Sequence, residues 1–207
     1  MPAPHESALE TYAGPLEPEG DYDRLLLDGH DLAGVDAESS RFIECLLRGC
    51  DLDGATLDHA HLVDTTLADC RAGTLRARSG TWRDVTLRDC RFGALEAFGG
   101  SWDRVTVEGG KIDYLNLRDS RVQDVRLVGC TIGDLDLAGV KAARVRFEGC
   151  RVGRLDVARA QLREVDLRGA DLAGIDGTAG LKGATISEQQ LLELAGALAA
   201  HLGVTVR

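Results

Sequence analysis

The sequence predicts an all-β solenoid: a four-sided stack of nearly eight 20-residue coils, closed at its C-terminal end by an α-helix. Three observations carry this. An apolar residue recurs every five positions from Leu25 onward, a second period of twenty lies over the first, and both stop near Ala179, where a helical pattern takes over. A period of five is that of neither a helix nor an ordinary strand, so no single regular element accounts for it.

The first 21 residues read as an irregular lead-in. They are acidic and hold all four prolines, Pro2, Pro4, Pro15 and Pro18. A first coil is expected from about Tyr22. Reading in fives from Leu25 gives LLLDG, HDLAG, VDAES, SRFIE, CLLRG, CDLDG, ATLDH and AHLVD, and continues without insertion to IDGTA at 175–179. The third residue of each five is nearly always apolar, the first is small or aliphatic, and the others are mostly polar or glycine.

The superperiod appears when the first residue of every fourth pentapeptide is compared. One series runs Leu25, Cys45, Thr65, Val85, Val105, Val125, Val145, Val165, and another Val35, Ala55, Leu75, Leu95, Leu115, Leu135, Leu155, Ile175. Each series keeps one chemical character while its neighbours differ. That is expected if twenty residues form one coil with four sides and equivalent positions stack. At the spacing of neighbouring strands, roughly 4.8 Å, the rod is about 38 Å long. Volumes compensate within layers: Trp82 and Trp102 follow Gly80 and Gly100, whereas Ala142 follows Val140, and Ala77 and Ala97 follow Leu75 and Leu95. A close-packed interior requires such pairing.

Five cysteines, Cys50, Cys70, Cys90, Cys130 and Cys150, fall in one inward column, where a thiol packs as a small hydrophobe. Stacked Cβ atoms would stand about 4.8 Å apart, wider than the roughly 3.8 Å a disulfide prefers. A line of thiols is also not the converging tetrahedron zinc needs. The column is therefore read as core.

Residues 180–207 break the register and read as a capping helix and tail. Ser187 with Gln190 forms a capping box and Gly203 a stop. Leu191, Leu194, Leu198 and Leu202 share a face, widened by Leu192, Ala195 and Ala199. The helix is expected to cover the open end of the stack, and dimerisation through it, with Val204 and Val206 as an apolar tail, is a second use.

Net charge is −10, and up to Glu44 eleven acids face only Arg24 and Arg41, so nine of the ten net negative charges lie there. From Lys141 to Arg168 eight bases outnumber four acids. Direct nucleic-acid binding is not expected at this balance. No apolar stretch is long enough to cross a bilayer and no leader peptide is recognisable, so a cytoplasmic protein is expected. Catalytic motifs are missing, His59 and His61 lack a third ligand, and carboxylates on a solenoid surface meet water. No enzyme activity, metal or cofactor is expected.

Units such as ADLAG (170–174), HDLAG (30–34), CDLDG (50–54) and VDLRG (165–169) resemble the pentapeptide repeat proteins, over roughly Tyr22 to Ala179. The resemblance implies a right-handed quadrilateral β-helix. Some members mimic duplex DNA and bind type II topoisomerases, inhibiting them or protecting them from drugs or toxins. The resemblance therefore implies DNA gyrase or topoisomerase IV as partner and a homodimer through the C-terminal helix. The candidate DNA-mimicking residues are Glu96, Asp136, Asp156 and Asp176, on one outer column. The alternative is a protein-interaction scaffold with an unknown partner.

Overall fold

The computed structural model describes residues 9–205. Its strands are parallel and stack at an offset of twenty residues. On the first face Leu27, Leu47, Leu67, Leu87, Val107, Leu127 and Phe147 sit on one another in register. On the fourth, Phe42, Leu62, Trp82, Trp102, Val122, Ala142 and Leu162 do the same. The centres of the second face include Phe92, Ile112, Ile132 and Val152. From Tyr22 to Leu172 no central residue is more than 9% exposed. The four-sided coil read from the sequence is the fold.

Corners are of two kinds. Most turn through one residue in the left-handed region: Gly29 and Gly49 do so without a Cβ penalty, and Asp64, Asp84 and Asp124 do so at φ 48, 55 and 53°. The corner between the second and third faces is different from the third coil onward. There strands such as Arg71–Arg76, Arg91–Glu96 and Lys111–Asn116 run across it unbroken, so these two faces share one sheet. Crowding along this sheet explains a column of glycines on its outside. A Cβ on Gly93 would lie 2.4 Å from the Gly73 carbonyl oxygen, and one on Gly133 2.4 Å from that of Asp113.

Inside, Trp82 and Trp102 stack at 4.9 Å with their planes 7° apart. Gly80 and Gly100 make room, but backbone crowding matters as much as ring volume: a Cβ on Gly100 would meet the Gly80 oxygen at 2.7 Å. The compensation expected at Ala142 is incomplete. An apolar cavity of about 20 Å³ remains there, bounded by Trp102, Val122, Leu137 and Phe147.

The small polar residues facing inward, Cys130 and Cys150 apart, obey one rule. Each donates to the carbonyl 23 residues earlier: Cys45 to Tyr22 at 3.3 Å, Cys50 to Leu27, Cys70 to Leu47 and Cys90 to Leu67 at 3.4 Å, Thr65 to Phe42 and Ser120 to Ala97 at 3.2 Å. The columns thus select a short side chain with a weak donor, which cysteine supplies.

The ends depart from the period of twenty. The stack begins earlier than Tyr22, since Glu10 and Thr11 pair with Leu25 and Leu26, fifteen residues on. Leu16 is buried, and Tyr12 meets Tyr22 edge-on at 5.6 Å, so residues 9–21 form a coil one side short. At the other end Ala184 pairs with Val165, one residue short of a full turn, after the 3-10 turn Thr178–Leu181. Helix α1, Glu188–His201, follows with the expected capping box at Ser187 and Gln190. Its C-terminus closes with Gly203 at φ 71°, donating to Ala200, and Val204 donating to Ala199.

Candidate interaction surfaces

The outer column of the third face places Glu96, Asn116, Asp136, Asp156 and Asp176 in direct register. The carboxylates of Asp136, Asp156 and Asp176 are occupied by the fold. Asp136 and Asp156 each accept from the backbone N–H two residues on, at 2.9 and 2.8 Å, a side-chain turn also made by Asp36 and Asn116. Asp136, buried, also accepts from the Arg118 guanidinium at 2.8 Å and from the Tyr114 hydroxyl at 3.3 Å. Burial, with Asp136 beside it, pushes the Tyr114 hydroxyl pKa up. Arg118 reaches Asp156 at 3.8 Å, and Arg154 pairs with Asp176. Glu96 makes no ion pair among the described residues. In front of it the column is interrupted by Arg76.

Helix α1 presents the second surface. The four leucines expected to share its packing face are divided: Leu194 is buried and Leu198 half-buried, whereas Leu191 and Leu202 are 49% and 76% exposed. The helix is rotated toward Gln190, whose side chain is buried and donates to the Leu167 and Ala170 carbonyls, both at 2.7 Å. Leu192 and Val204 are exposed with Leu191 and Leu202, leaving apolar side chains uncovered among the described residues. Val206 lies outside the described residues.

A third surface is basic. On the fourth face Arg121, Lys141 and Arg163 surround a 380 Å³ groove together with Gln123 and Gln161, and none of the three cations makes an ion pair among the described residues. At the adjoining corner Arg104 and Arg144 are instead paired to Asp84 and Asp124, each at 2.6 Å.

The fourth surface is a 590 Å³ groove between the last coils and the start of α1. Cys130 and Cys150 line it, with Arg151 and Arg168 on its walls. All six cysteines are free and buried. Among the described residues no three of His, Cys, Asp or Glu gather in a metal-binding arrangement, and no helix is long and apolar enough to cross a membrane.

A pentapeptide repeat region model matches residues 40–117, and a model of eight pentapeptide repeat copies matches 143–176. A trypsin-treated variant of QnrB1, a plasmid-mediated fluoroquinolone resistance protein, aligns at 18% identity and TM-score 0.39, over 95% of each chain. Full-length QnrB1 aligns at 18% identity and TM-score 0.30, over 89% of this chain and 100% of that one. HetL, a pentapeptide repeat protein involved in heterocyst differentiation regulation in the cyanobacterium Nostoc sp. strain PCC 7120, aligns at 16% identity and TM-score 0.37, over 83% and 91%. No curated protein matches the chain.

Proposed function

Given a chain that belongs to the pentapeptide repeat family, we propose that it is a non-enzymatic binding protein, a rigid scaffold that engages other proteins through its outer faces and its end helix. The observation that supports this best is the division between inside and outside. The interior is filled by side chains, and the ionised groups lie on flat outer faces where partners, not substrates, meet them. Six free thiols fit a reducing cytoplasm.

The exposed stripe of Leu191, Leu192, Leu202 and Val204 is proposed to pair two copies tail to tail, since apolar side chains gathered on a helix end favour burial. Sedimentation of the full chain tests this. A dimer that Leu191→Glu with Leu192→Glu converts to monomer supports it, and a monomeric wild type across the micromolar range excludes it.

The more specific reading is a DNA mimic that binds DNA gyrase or topoisomerase IV, inhibiting it or protecting it from drugs or toxins. In its favour, Glu96, Asp136, Asp156 and Asp176 lie on one column that a dimer would extend across the twofold axis. Arg118 and Arg154 count against it, because each neutralises part of that column. A gyrase supercoiling assay decides: no inhibition, no relief from a gyrase-poisoning drug and no binding at micromolar concentration would remove this reading while leaving the scaffold.

A further inference from the structure

Cys130 and Cys150 break the rule that the other inward thiols follow. Cys45, Cys50, Cys70 and Cys90 donate to the carbonyl 23 residues earlier, whereas the sulfurs of Cys130 and Cys150 turn to one another at 3.3 Å. Cys150 also touches the Glu148 carbonyl at 3.7 Å. Their position differs as well. Cys70 and Cys90 follow corner aspartates, Asp69 and Asp89, although the hydrogen bond from Cys70 lowers the pKa of Cys90. Cys130 and Cys150 follow Gly129 and Gly149, where an added Cβ would meet nothing within 4 Å, and beyond them lies the 590 Å³ groove. Arg151, Arg168 and the capped first turn of α1, with Ser187 and Gln189, face the same groove, against the carboxylates of Asp171 and Glu193.

We infer that Cys130 and Cys150 form an oxidation site for hydroperoxides, closing a reversible disulfide between neighbouring coils. Cys150 attacks first. The hydrogen bond it receives from Cys130 lowers its pKa, while the same bond and burial raise that of Cys130. The Cys150 thiolate attacks one peroxide oxygen, the O–O bond breaks, and the departing oxygen takes a proton to leave as water or alcohol. Cys150 is then a sulfenic acid. The Cys130 sulfur loses its proton and attacks the Cys150 sulfur; the S–O bond breaks and the hydroxide leaves with that proton as water. Two thiols lose two electrons and one hydroperoxide gains them.

Geometry predicts a labile bond. Coil spacing holds stacked Cβ atoms roughly 1 Å farther apart than a relaxed disulfide prefers, and a strained bond is readily reduced. The corners before Cys130 and Cys150 are glycines beside an open groove, whereas those before Cys70 and Cys90 are aspartates.

The test treats the full chain with hydrogen peroxide, then unfolds and alkylates it for intact and peptide mass. The expected product has lost two hydrogens, links Cys130 to Cys150, and reverts with dithiothreitol, while Cys45, Cys50, Cys70 and Cys90 alkylate as free thiols. Cys130→Ser should trap a sulfenic acid on Cys150, and Cys150→Ser should slow oxidation by about tenfold or more. A bond elsewhere in the column, oxidation shared evenly with Cys70 and Cys90, or no loss of hydrogen under peroxide that fully oxidises glutathione would each overturn it.

Discussion

Gln190→Ala should release α1 from the rod without unfolding the coils. Three bonds converge on this amide: Nε2 donates to Leu167 O and Ala170 O, both at 2.7 Å, and Oε1 accepts from Ser187 N at 2.8 Å. The Leu167 carbonyl keeps a second partner, Ala170 N at 2.9 Å, so it is not orphaned. The Ala170 carbonyl and Ser187 N–H lose theirs. A buried group left unsatisfied costs about 1–3 kcal/mol, and a lost cap about 1 kcal/mol. The sum, about 3 kcal/mol, corresponds to roughly a hundredfold larger population with the helix detached. Native-state hydrogen exchange reads this directly. Amides from Leu194 to Leu198 should lose about two decades of protection while those of the central coils keep theirs, because distant repeats are coupled only through neighbours. Gln190→Glu should do more damage, since it sets a carboxylate against two carbonyls. Unchanged helix protection in Gln190→Ala, or a loss spread evenly along the rod, would refute the assignment of this side chain as the clamp.

Ala142→Val should fill the 20 Å³ cavity and stabilise the rod by about 1 kcal/mol, seen as a melting temperature higher by a few degrees; a lower one would mean the cavity has the wrong shape for two methyl groups. Gly93→Ala should destabilise by about 2 kcal/mol or more, because its Cβ would lie 2.4 Å from the Gly73 oxygen, whereas Gly196→Ala in α1, where a Cβ meets nothing, should stabilise the helix by about 1 kcal/mol. Arginine hydrogen bonds hold the carboxyl pKa values of Asp28, Asp51, Asp84, Asp124 and Asp166 below the ordinary range, that of Asp166 at about 2. A depressed carboxyl pKa stabilises fully above its unfolded value and is lost as pH falls through the folded one. Melting temperature should therefore hold from neutral pH to about 5 and fall between about 4 and 2. A decline beginning nearer pH 6 would point to another group.

The coil was legible because it is local arithmetic: a residue every five positions and a character every twenty leave no other stacking. The cysteine column and the Ser187–Gln190 box were legible for the same reason. Three things were not. The clamp made by Gln190 was hidden because a capping box explains that glutamine already, although residue 190 stands twenty beyond Ala170 and 23 beyond Leu167, the offsets of the inward columns. There its amide supplies both the backbone donor of a missing coil and the bond a thiol makes elsewhere. The short first coil was hidden by prolines that mark turns as readily as disorder. The rotation of α1 was hidden because leucines at helical spacing predict a face, and Gln190 pulls the helix off it.

The acidic column shows why charge counted along a sequence misleads in a stack. Aspartate at the second place of a pentapeptide closes a turn with its own chain, and arginines twenty residues away arrive beside it because the coils superimpose. Arg48 meets Asp28, Arg71 meets Asp51 and Arg144 meets Asp124 at that offset, Arg118 meets Asp136 at eighteen, and Arg154 meets Asp176 at 22. Charges without an ion-pair partner among the described residues occur along the whole rod, Asp64, Arg83, Arg91 and Glu96 among them, but two groups stand out. Carboxylates such as Glu10, Glu17, Glu19, Asp31, Asp36, Glu38 and Glu44 lie in the first coils, and Arg121, Lys141 and Arg163 lie on the fourth face toward the helix end. A duplex carries one sign of charge along its whole length. This rod carries both signs, with its acidic surplus in the first coils and an unpaired basic cluster on the fourth face, a pattern that a protein surface complements more readily than a DNA-binding groove of a single sign.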